Sequence, residues 1–564
     1  MAKQKPPQTP LPLAAKIIIG IILTVAGLVL ICVITAAIIF GPYLYKMSIM
    51  NDDGKYTPVD LTLTDEQKIA DLDYMYDLAV RENPATQEIE QAYGISYDEL
   101  YNTYRDYISG TDSDLEYLGY MSAFLAVMPG AHNLMGFPNY GRDVDGAMFT
   151  LTEVMGSQDI KDYNYTWNEE LRDDVAEMTD YGAYIFGYVD GNYIMATPAL
   201  PGKAHDEYQW ARIVSMNGQD PRDLCFDFFE RYVPVYDQGN DCFFRSNLIF
   251  NDGVGVKYDT VLEMRDGSTV NIELYDDPGF DMAFVEGYKS YPDLYDLSQS
   301  SSSSGDEDNS IYNIAVDEDR KLVYINITGC KVDQGDKLAS DLQAAIDQVG
   351  AENIILDLRN NPGGDSSFVN KNVLPVVFSH DVPYVARFYG GRNDYTKTYY
   401  SNPFYHIVNP LILESTVPEL DGDYFYGTED FSVEGRATGD YNIYALTSQS
   451  TFSSGDIFTV LLKAYDKATV VGTNTKGEGI CGSPFNCYLP NSHFLFVYVP
   501  TVSVEYPEDT YLGTAPDIYI TRTLDEYFMA RDMAGEGVDV GSFESRCIWD
   551  GALIKVLDMI DEGA

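Results

Sequence analysis

The stretch Asn353-Ile-Ile-Leu-Asp-Leu-Arg-Asn-Asn-Pro-Gly-Gly364 runs from a mainly apolar segment into a proline and two glycines. An apolar run bounded by turn residues reads as a strand, Asn353 to Arg359, buried on both faces. Pro-Gly-Gly then allows a sharp turn and brings bare backbone N–H groups close to whatever lies beyond the strand end. On both sides of this stretch strand and helix patterns alternate. Lys321 to Gly329 reads as a strand, Gly335 to Val349 as an amphipathic helix, Tyr441 to Thr447 as a strand, Ser454 to Asp466 as a helix and Ala468 to Gly472 as a strand. Further strands are expected at Phe494 to Val499 and Asp517 to Ile520. Such alternation belongs to crossover units around a parallel sheet, so residues 311–530 are expected to form an α/β core with its site where strands lead into helices.

A second strand-to-helix junction, Thr451-Phe-Ser-Ser-Gly-Asp456, precedes a helical pattern at Ile457, Val460, Leu461 and Ala464. It puts Ser453 or Ser454 at a helix N-terminus, where unpaired amides and the positive dipole end stabilise an oxyanion. A serine there is also an ordinary N-cap, so this junction alone does not point to catalysis.

The two junctions together do. Asn353 to Gly364, Ser450-Thr-Phe-Ser-Ser-Gly-Asp-Ile-Phe458 and Ala468-Thr-Val-Val-Gly-Thr-Asn-Thr-Lys-Gly-Glu-Gly479 resemble, in that order, the S41 family of serine peptidases, which includes the C-terminal processing and tail-specific proteases and the tricorn core. Arg212-Ile-Val-Ser-Met-Asn-Gly-Gln-Asp-Pro-Arg-Asp-Leu224 is similar to the strand, turn and helix of a PDZ domain, a module that adds peptide ends to its sheet as an extra strand. Gly513-Thr-Ala-Pro-Asp-Ile518 is similar to the family's closing element. The resemblance implies a ClpP/crotonase-like α/β peptidase core preceded by helical and PDZ-like domains, with polypeptide substrates and no cofactor or metal.

Carried over residue by residue, the resemblance makes Ser453 the nucleophile and Gly363, Gly364 and the Ser454 N–H the oxyanion hole. A serine hydroxyl needs a base near neutral pH. The processing-protease branch supplies a lysine at a position that here is Glu478, with Lys476 two residues earlier. This departure favours the tricorn-like branch, in which a histidine of the helical domain is the base; His132 matches it. The orienting acid of that branch falls on Thr510, and a one-residue insertion moves it to Asp509, with Glu508 next and Glu505 more distant. Two functional readings follow: a membrane-anchored extracellular serine endopeptidase, and a binding protein on the same fold that has lost hydrolysis. Asp357 and Arg359 are expected to form a buried ion pair beneath the turn, and His205, His380, His406 and His493 to be structural or surface residues.

Outside the core, Ile17 to Phe40 is an uncharged run of 24 residues, long enough to cross a hydrocarbon layer of ~30 Å. A cleavable signal peptide has a shorter apolar run, although Ala36 and Ala37 provide a small-residue exit. The preferred reading is an uncleaved anchor at 17–40. Lys3, Lys5 and Lys16 keep the tail 1–16 cytoplasmic and the bulk outside, a single-pass cell-membrane protein. Thr64 and Gln67 have capping-box spacing before Ile69, Leu72, Tyr76 and Ala79, and Leu118, Met121, Leu125 and Met128 mark a second helix, so 60–150 is expected to be a helical domain. From 180 to 278 short strands dominate, including Val270, Ile272 and Leu274 after the Asp266-Gly267 turn, the PDZ-like unit. A serine-rich acidic linker is placed at 296–310 and a C-terminal helical segment at 531–564.

Length and charge agree with this division. A chain of 564 residues calls for several folded units, and 45% hydrophobic content excludes a disordered acidic protein. The net charge of −52 repels nucleic acid. Beyond Lys46 the chain carries 32 basic against 88 acidic residues, a net of −56. Six cysteines lie outside the apolar run, and Cys481 with Cys487 is the most local candidate for a disulfide, with free buried thiols as the alternative.

Overall fold

The computed structural model describes residues 13–50, 56–83, 85–126, 128, 132–135, 156–178, 184–198, 208, 211–222, 235–240, 242–244, 257–275, 310–391, 394–396, 412–414, 424–477, 485–499, 501–503 and 513–563. The serine-rich stretch before 310 lies outside them, as do Asp223 and Leu224 at the end of the PDZ-like motif, His205, His406 and Cys481.

The apolar run lies in helix α1, Leu13–Met50. Most of its described apolar side chains, among them Leu28, Ile31 and Ile38, are exposed. Among the described residues no helix is long and apolar enough to cross a membrane. After it come α2 (Asp65–Tyr76), continued by a π-helical turn at Asp77–Arg81, then α3 (Thr86–Tyr93), α4 (Tyr97–Ser109) and α5 (Asp114–Ala126). Thr64 and Gln67 make both bonds of the capping box that opens α2. A short strand β1 (Leu134–Met135) and the long helix α6 (Gln158–Met178) follow.

Strands β2 (Tyr184–Val189), β3 (Asn192–Pro198), β4 (Arg212–Met216), β7 (Lys257–Glu263) and β8 (Thr269–Tyr275) form one five-stranded sheet in that order, with the expected hairpin between the last two. Strands β5 (Val235–Asp237) and β6 (Cys242–Phe244) form a separate pair.

The core sheet is built from β9 (Tyr312–Asp317), β10 (Leu322–Ile327), helix α7 (Val332–Val349), β11 (Asn353–Asp357), β15 (Asn442–Thr447), helix α8 (Ser454–Ala464), β16 (Thr469–Gly472) and β20 (Ile518–Tyr519). Its strand order is β20-β16-β15-β11-β10-β9, parallel throughout except for the β9 edge. Alternation along the strands decides the layers. Val323, Ile325, Ile354, Leu356 and Val470 pack with Leu338 and Leu342 of α7 and Phe458, Leu461 and Leu462 of α8. Leu322, Tyr324, Ile355, Leu446 and Val471 point the other way, onto C-terminal helices α10 (Phe543–Trp549) and α11 (Gly551–Glu562), which follow α9 (Leu524–Gly535). The result is a helix–sheet–helix sandwich whose second layer comes from the end of the chain.

A second, antiparallel sheet joins β12 (Val382–Gly391), β13 (Ile412–Glu414), β14 (Tyr424–Val433) and β19 (Thr501–Ser503). The hairpin of β17 (Phe485–Tyr488) and β18 (Leu495–Tyr498) leaves the core to meet the N-terminal helices. There β1 adds to β18, pairing Leu134 with Val497 and Met135 with Phe496. Phe485, Cys487, Phe494 and Phe496 share one apolar cluster with Leu72, Met75, Tyr104, Phe124 and Trp167 of the helices. Asp71, fully buried, accepts from the Asn491 and Ser492 N–H groups at 2.8 and 2.9 Å, from Asn491 Nδ2 at 3.0 Å and from the Tyr117 hydroxyl at 3.0 Å. Trp167 Nε1 donates to Ser492 O at 2.9 Å, and Asn164 bonds His493 O and the Leu495 N–H. His493 packs against Tyr163 in this seam, while His380 is exposed.

Cys487 is buried and free, so it makes no disulfide with Cys481. Cys330 and Cys547 are free too, and burial pushes the Cys330 thiol up to about 12, which leaves it an inert thiol at neutral pH.

Candidate active site

The C-terminal ends of β11, β15 and β16 lie side by side, since Asp357 is in register with Leu446 and Thr447 with Gly472. The three loops leaving these ends are stitched together by buried hydroxyls. Thr451 Oγ1 donates to Leu358 O at 2.8 Å, the Ser448 hydroxyl to Arg359 O, and the Phe452 N–H to Asn361 O at 2.9 Å. From the third loop, the Lys476 N–H donates to Thr451 O at 2.9 Å and Gly477 O accepts the Ser453 N–H at 3.1 Å. Lys476 is thus in a loop beyond β16, not on a strand, and its side chain is exposed.

Between these supports the backbone turns at Ser453 with φ 53° and ψ −121°, a region that residues with a side chain rarely occupy. Helix α8 starts at the next residue, so Ser453 projects from a tight strand-to-helix elbow. Asp456, in the first turn of α8 and fully buried, accepts from Thr475 Oγ1 and Thr514 Oγ1, both at 2.6 Å. That carboxylate ties the elbow to the Gly513-Thr514 element, where a side chain on Gly513 would collide with Thr475 O.

The Pro-Gly-Gly turn comes up against this elbow. Gly363 and Gly364 have φ of 98° and 132°; a Cβ on Gly363 would lie 2.7 Å from Ser453 Cβ and 2.8 Å from Ser454 N, and one on Gly364 2.4 Å from Cys330 O. Only glycine allows this approach. The Gly363 N–H is already used, donating to Asn361 Oδ1 at 2.9 Å. The N–H groups of Gly364 and Ser454 have no acceptor among the described residues, while the Ser454 hydroxyl donates to Gly364 O at 2.7 Å and braces the two segments. Of the three donors expected from the sequence, two are therefore unpaired beside Ser453 and one is committed to holding the turn.

His132 arrives from the helical unit, on the turn before β1, with Nε2 3.0 Å from Ser453 Oγ. Its ring stacks on Phe452, with centroids 4.6 Å apart and planes at 30°. The neighbouring Asn133, buried, accepts the Val499 N–H at 3.0 Å and donates to Met128 O at 3.3 Å. Lys476 Nζ lies 5.0 Å from the centroid of the same Phe452 ring. Asp509, Glu508, Glu505 and Glu478 are outside the described residues.

Asp357 and Arg359 form the ion pair read from the sequence, within a larger buried network. Arg359 bonds Asp357 and Asp550, Arg546 Nη1 reaches Asp357 Oδ2 at 3.0 Å, and the Tyr324 hydroxyl donates to Asp357 at 2.6 Å. Burial opposes both charged carboxylates, but the two guanidiniums prevail and hold Asp357 and Asp550 below the usual carboxylate range. Arg546 and Asp550 have no local sequence signal pointing to this role, since they sit 189 and 191 residues from the partners they bond.

A hydroxyl in contact with an imidazole, on a strained elbow beside two unpaired amides, is an arrangement for acyl transfer. Residues 321–520 match the family model Peptidase family S41. That stretch of the chain is therefore similar to the S41 peptidases. No curated protein sequence matches the chain. Among solved structures, mature CPAF complexed with lactacystin aligns with TM-score 0.52 at 12% identity, over 89% of this chain and 100% of that one. The photosystem II D1 C-terminal processing protease aligns with TM-score 0.34 at 12% identity, over 81% and 93% of the two chains. The tricorn protease aligns with TM-score 0.29 at 13% identity, over 89% of this chain and 37% of that one. At such identities the likeness is one of fold, and only the CPAF alignment is high enough to carry it.

Proposed function

We propose that this protein is a membrane-anchored serine endopeptidase, with Ser453 as nucleophile and His132 as general base. The contact of 3.0 Å between His132 Nε2 and Ser453 Oγ carries the reading. In the proposed reaction the imidazole takes the hydroxyl proton as Oγ attacks the peptide carbonyl. The oxyanion that forms is received by the Gly364 and Ser454 amides, the imidazolium returns its proton to the leaving amine, and water hydrolyses the acyl-enzyme by the same route. Asp509 or Glu508 is proposed to hold the imidazole tautomer. The exposed Lys476 is not assigned the role of base, because the hydroxyl already meets an imidazole.

Anchoring through 17–40, with the acidic bulk extracellular, is part of the proposal. It is supported by the uncharged run of 24 residues and by the exposed apolar side chains of α1. The five-stranded sheet is proposed to be the PDZ-like unit that presents unfolded or C-terminal segments of the substrate.

The test is labelling with a serine-reactive fluorophosphonate, using the full chain in detergent beside Ser453→Ala and His132→Ala. Labelling and peptide hydrolysis by the wild type alone is the expected result. Equal labelling of all three proteins would discard the enzyme reading. Membrane placement is checked separately, by protease protection of the chain in inverted and right-side-out vesicles.

A further inference from the structure

Two side chains meet at Phe452, beside the nucleophile. The His132 ring stacks on it at a centroid separation of 4.6 Å and Lys476 Nζ approaches it at 5.0 Å, while its own backbone is hydrogen-bonded within the elbow. The Phe452 N–H donates to Asn361 O, its carbonyl accepts the Gly455 N–H, both at 2.9 Å, and it bridges to Gly477. The ring is half-buried, so it is a fixed apolar surface at the site and not part of the closed core.

His132 needs such a surface. It is 321 residues from Ser453 and belongs to a different folded unit, so no covalent geometry places it. On its own side the turn is held at Asn133, whose two bonds fix the backbone one residue away. A flat ring against the imidazole face restricts rotation about its side-chain torsions, while leaving Nε2 at the ring edge to reach the hydroxyl.

We infer that Phe452 is a positioning residue for the base: the residue preceding the nucleophile is the platform on which the peptidase domain receives the imidazole delivered by the helical unit. The inference rests on the serine–histidine reading above. It adds that the separation between the two units is bridged at the reacting atoms by this aromatic face. Lys476 borders the same ring, so its ammonium lies within about 10 Å of the imidazole, the sum of the two centroid distances, and is a neighbour of the base rather than a rival to it.

The experiment measures kcat and KM for a fluorogenic peptide with wild type, Phe452→Leu and Phe452→Tyr, with a thermal melt of each. Leu keeps the apolar volume and every backbone bond but has no flat face; Tyr keeps the face. The expected result is a kcat lowered roughly 10- to 100-fold in Phe452→Leu, the scale of a base displaced by about 1 Å. Its KM should stay within about threefold of wild type, and Phe452→Tyr should keep at least half of the wild-type kcat. A Phe452→Leu enzyme with wild-type kcat overturns the inference, as does a Tyr variant as impaired as the Leu one. If Phe452→Leu does not fold, Phe452→Met takes its place with the same expected kcat. The underlying reading fails differently: wild type itself would then be inactive, and Ser453→Ala would be indistinguishable from it.

Discussion

The two sides of the site are held in different ways. Ser453 and the Gly363-Gly364 turn rise from adjacent strand ends and are fixed by hydrogen bonds inside one domain, from Thr451 to Leu358 and from Ser454 to Gly364. His132 is fixed by a seam, where β17 and β18 are gripped by Asp71, Asn164 and Trp167 and where β1 adds as a third strand. The first side is a matter of backbone geometry; the second is a matter of domain docking. A change on the first side should therefore damage chemistry directly, and a change on the second should damage it through the position of the base.

The largest effect is expected from Gly364→Ala. Its Cβ would meet Cys330 O at 2.4 Å, so the turn must shift and withdraw its unpaired amide. Loss of one oxyanion donor costs about 10² to 10³ in kcat, which peptide turnover would read. Asp357→Asn comes next. It leaves two buried guanidiniums facing Asp550 and a neutral amide, and breaking a buried pair costs about 3 to 5 kcal/mol, measured by urea unfolding.

Asp71→Ala tests the seam. It removes the acceptor of four hydrogen bonds and should lower stability by about 3 kcal/mol while reducing kcat, leaving the peptidase-domain side intact. A loss of stability with unchanged kcat would separate docking from catalysis and break the comparison. Acid should act on the other side. Asp357 and Asp550 have depressed folded pKa values, so their contribution is complete above the unfolded carboxylate value of about 4 and is lost as pH falls below that, toward the folded values. Thermal melts from pH 7 to pH 3 should show this decline only at the acid end, and Asp550→Asn should flatten it. The smallest effect is expected from Trp167→Phe, which keeps most of the packing but removes the bond to Ser492 O, about 1 kcal/mol in the same urea measurement.

The same contrast explains what could be read from the chain beforehand. Core elements announce themselves through buried runs, and β10, β11, β15, β16, α7 and α8 fall within a few residues of their expected bounds. Helix α4 is equally legible, with the Ser96 side chain accepting the Glu99 N–H and Tyr97, Leu100, Tyr104 and Ile108 on its buried face. Strands β12 and β14 were not foreseen, because a long antiparallel pair is stabilised by partners some forty residues apart, Tyr389 against Tyr426, and not by a local pattern. At the site, motif position pointed to His132 and Ser453, and the structure brings their side chains together. The positive φ of Ser453, the capture of the Gly363 N–H by Asn361 and the stacking on Phe452 are consequences of assembly that no single stretch of residues encodes.

The hydrogen bond between residues 132 and 453 closes a loop of 321 residues, among the most distant contacts this chain makes. Chain-closure entropy for such a loop is on the order of 5 kcal/mol, so this contact is available only once the seam has already brought the ends together. A polypeptide emerging with its helical unit first must extend through β17 and β18 before His132 and Ser453 can meet. On the proposed mechanism, a chain that ends before those strands carries a serine with no base, so proteolytic competence follows the docking of the two units.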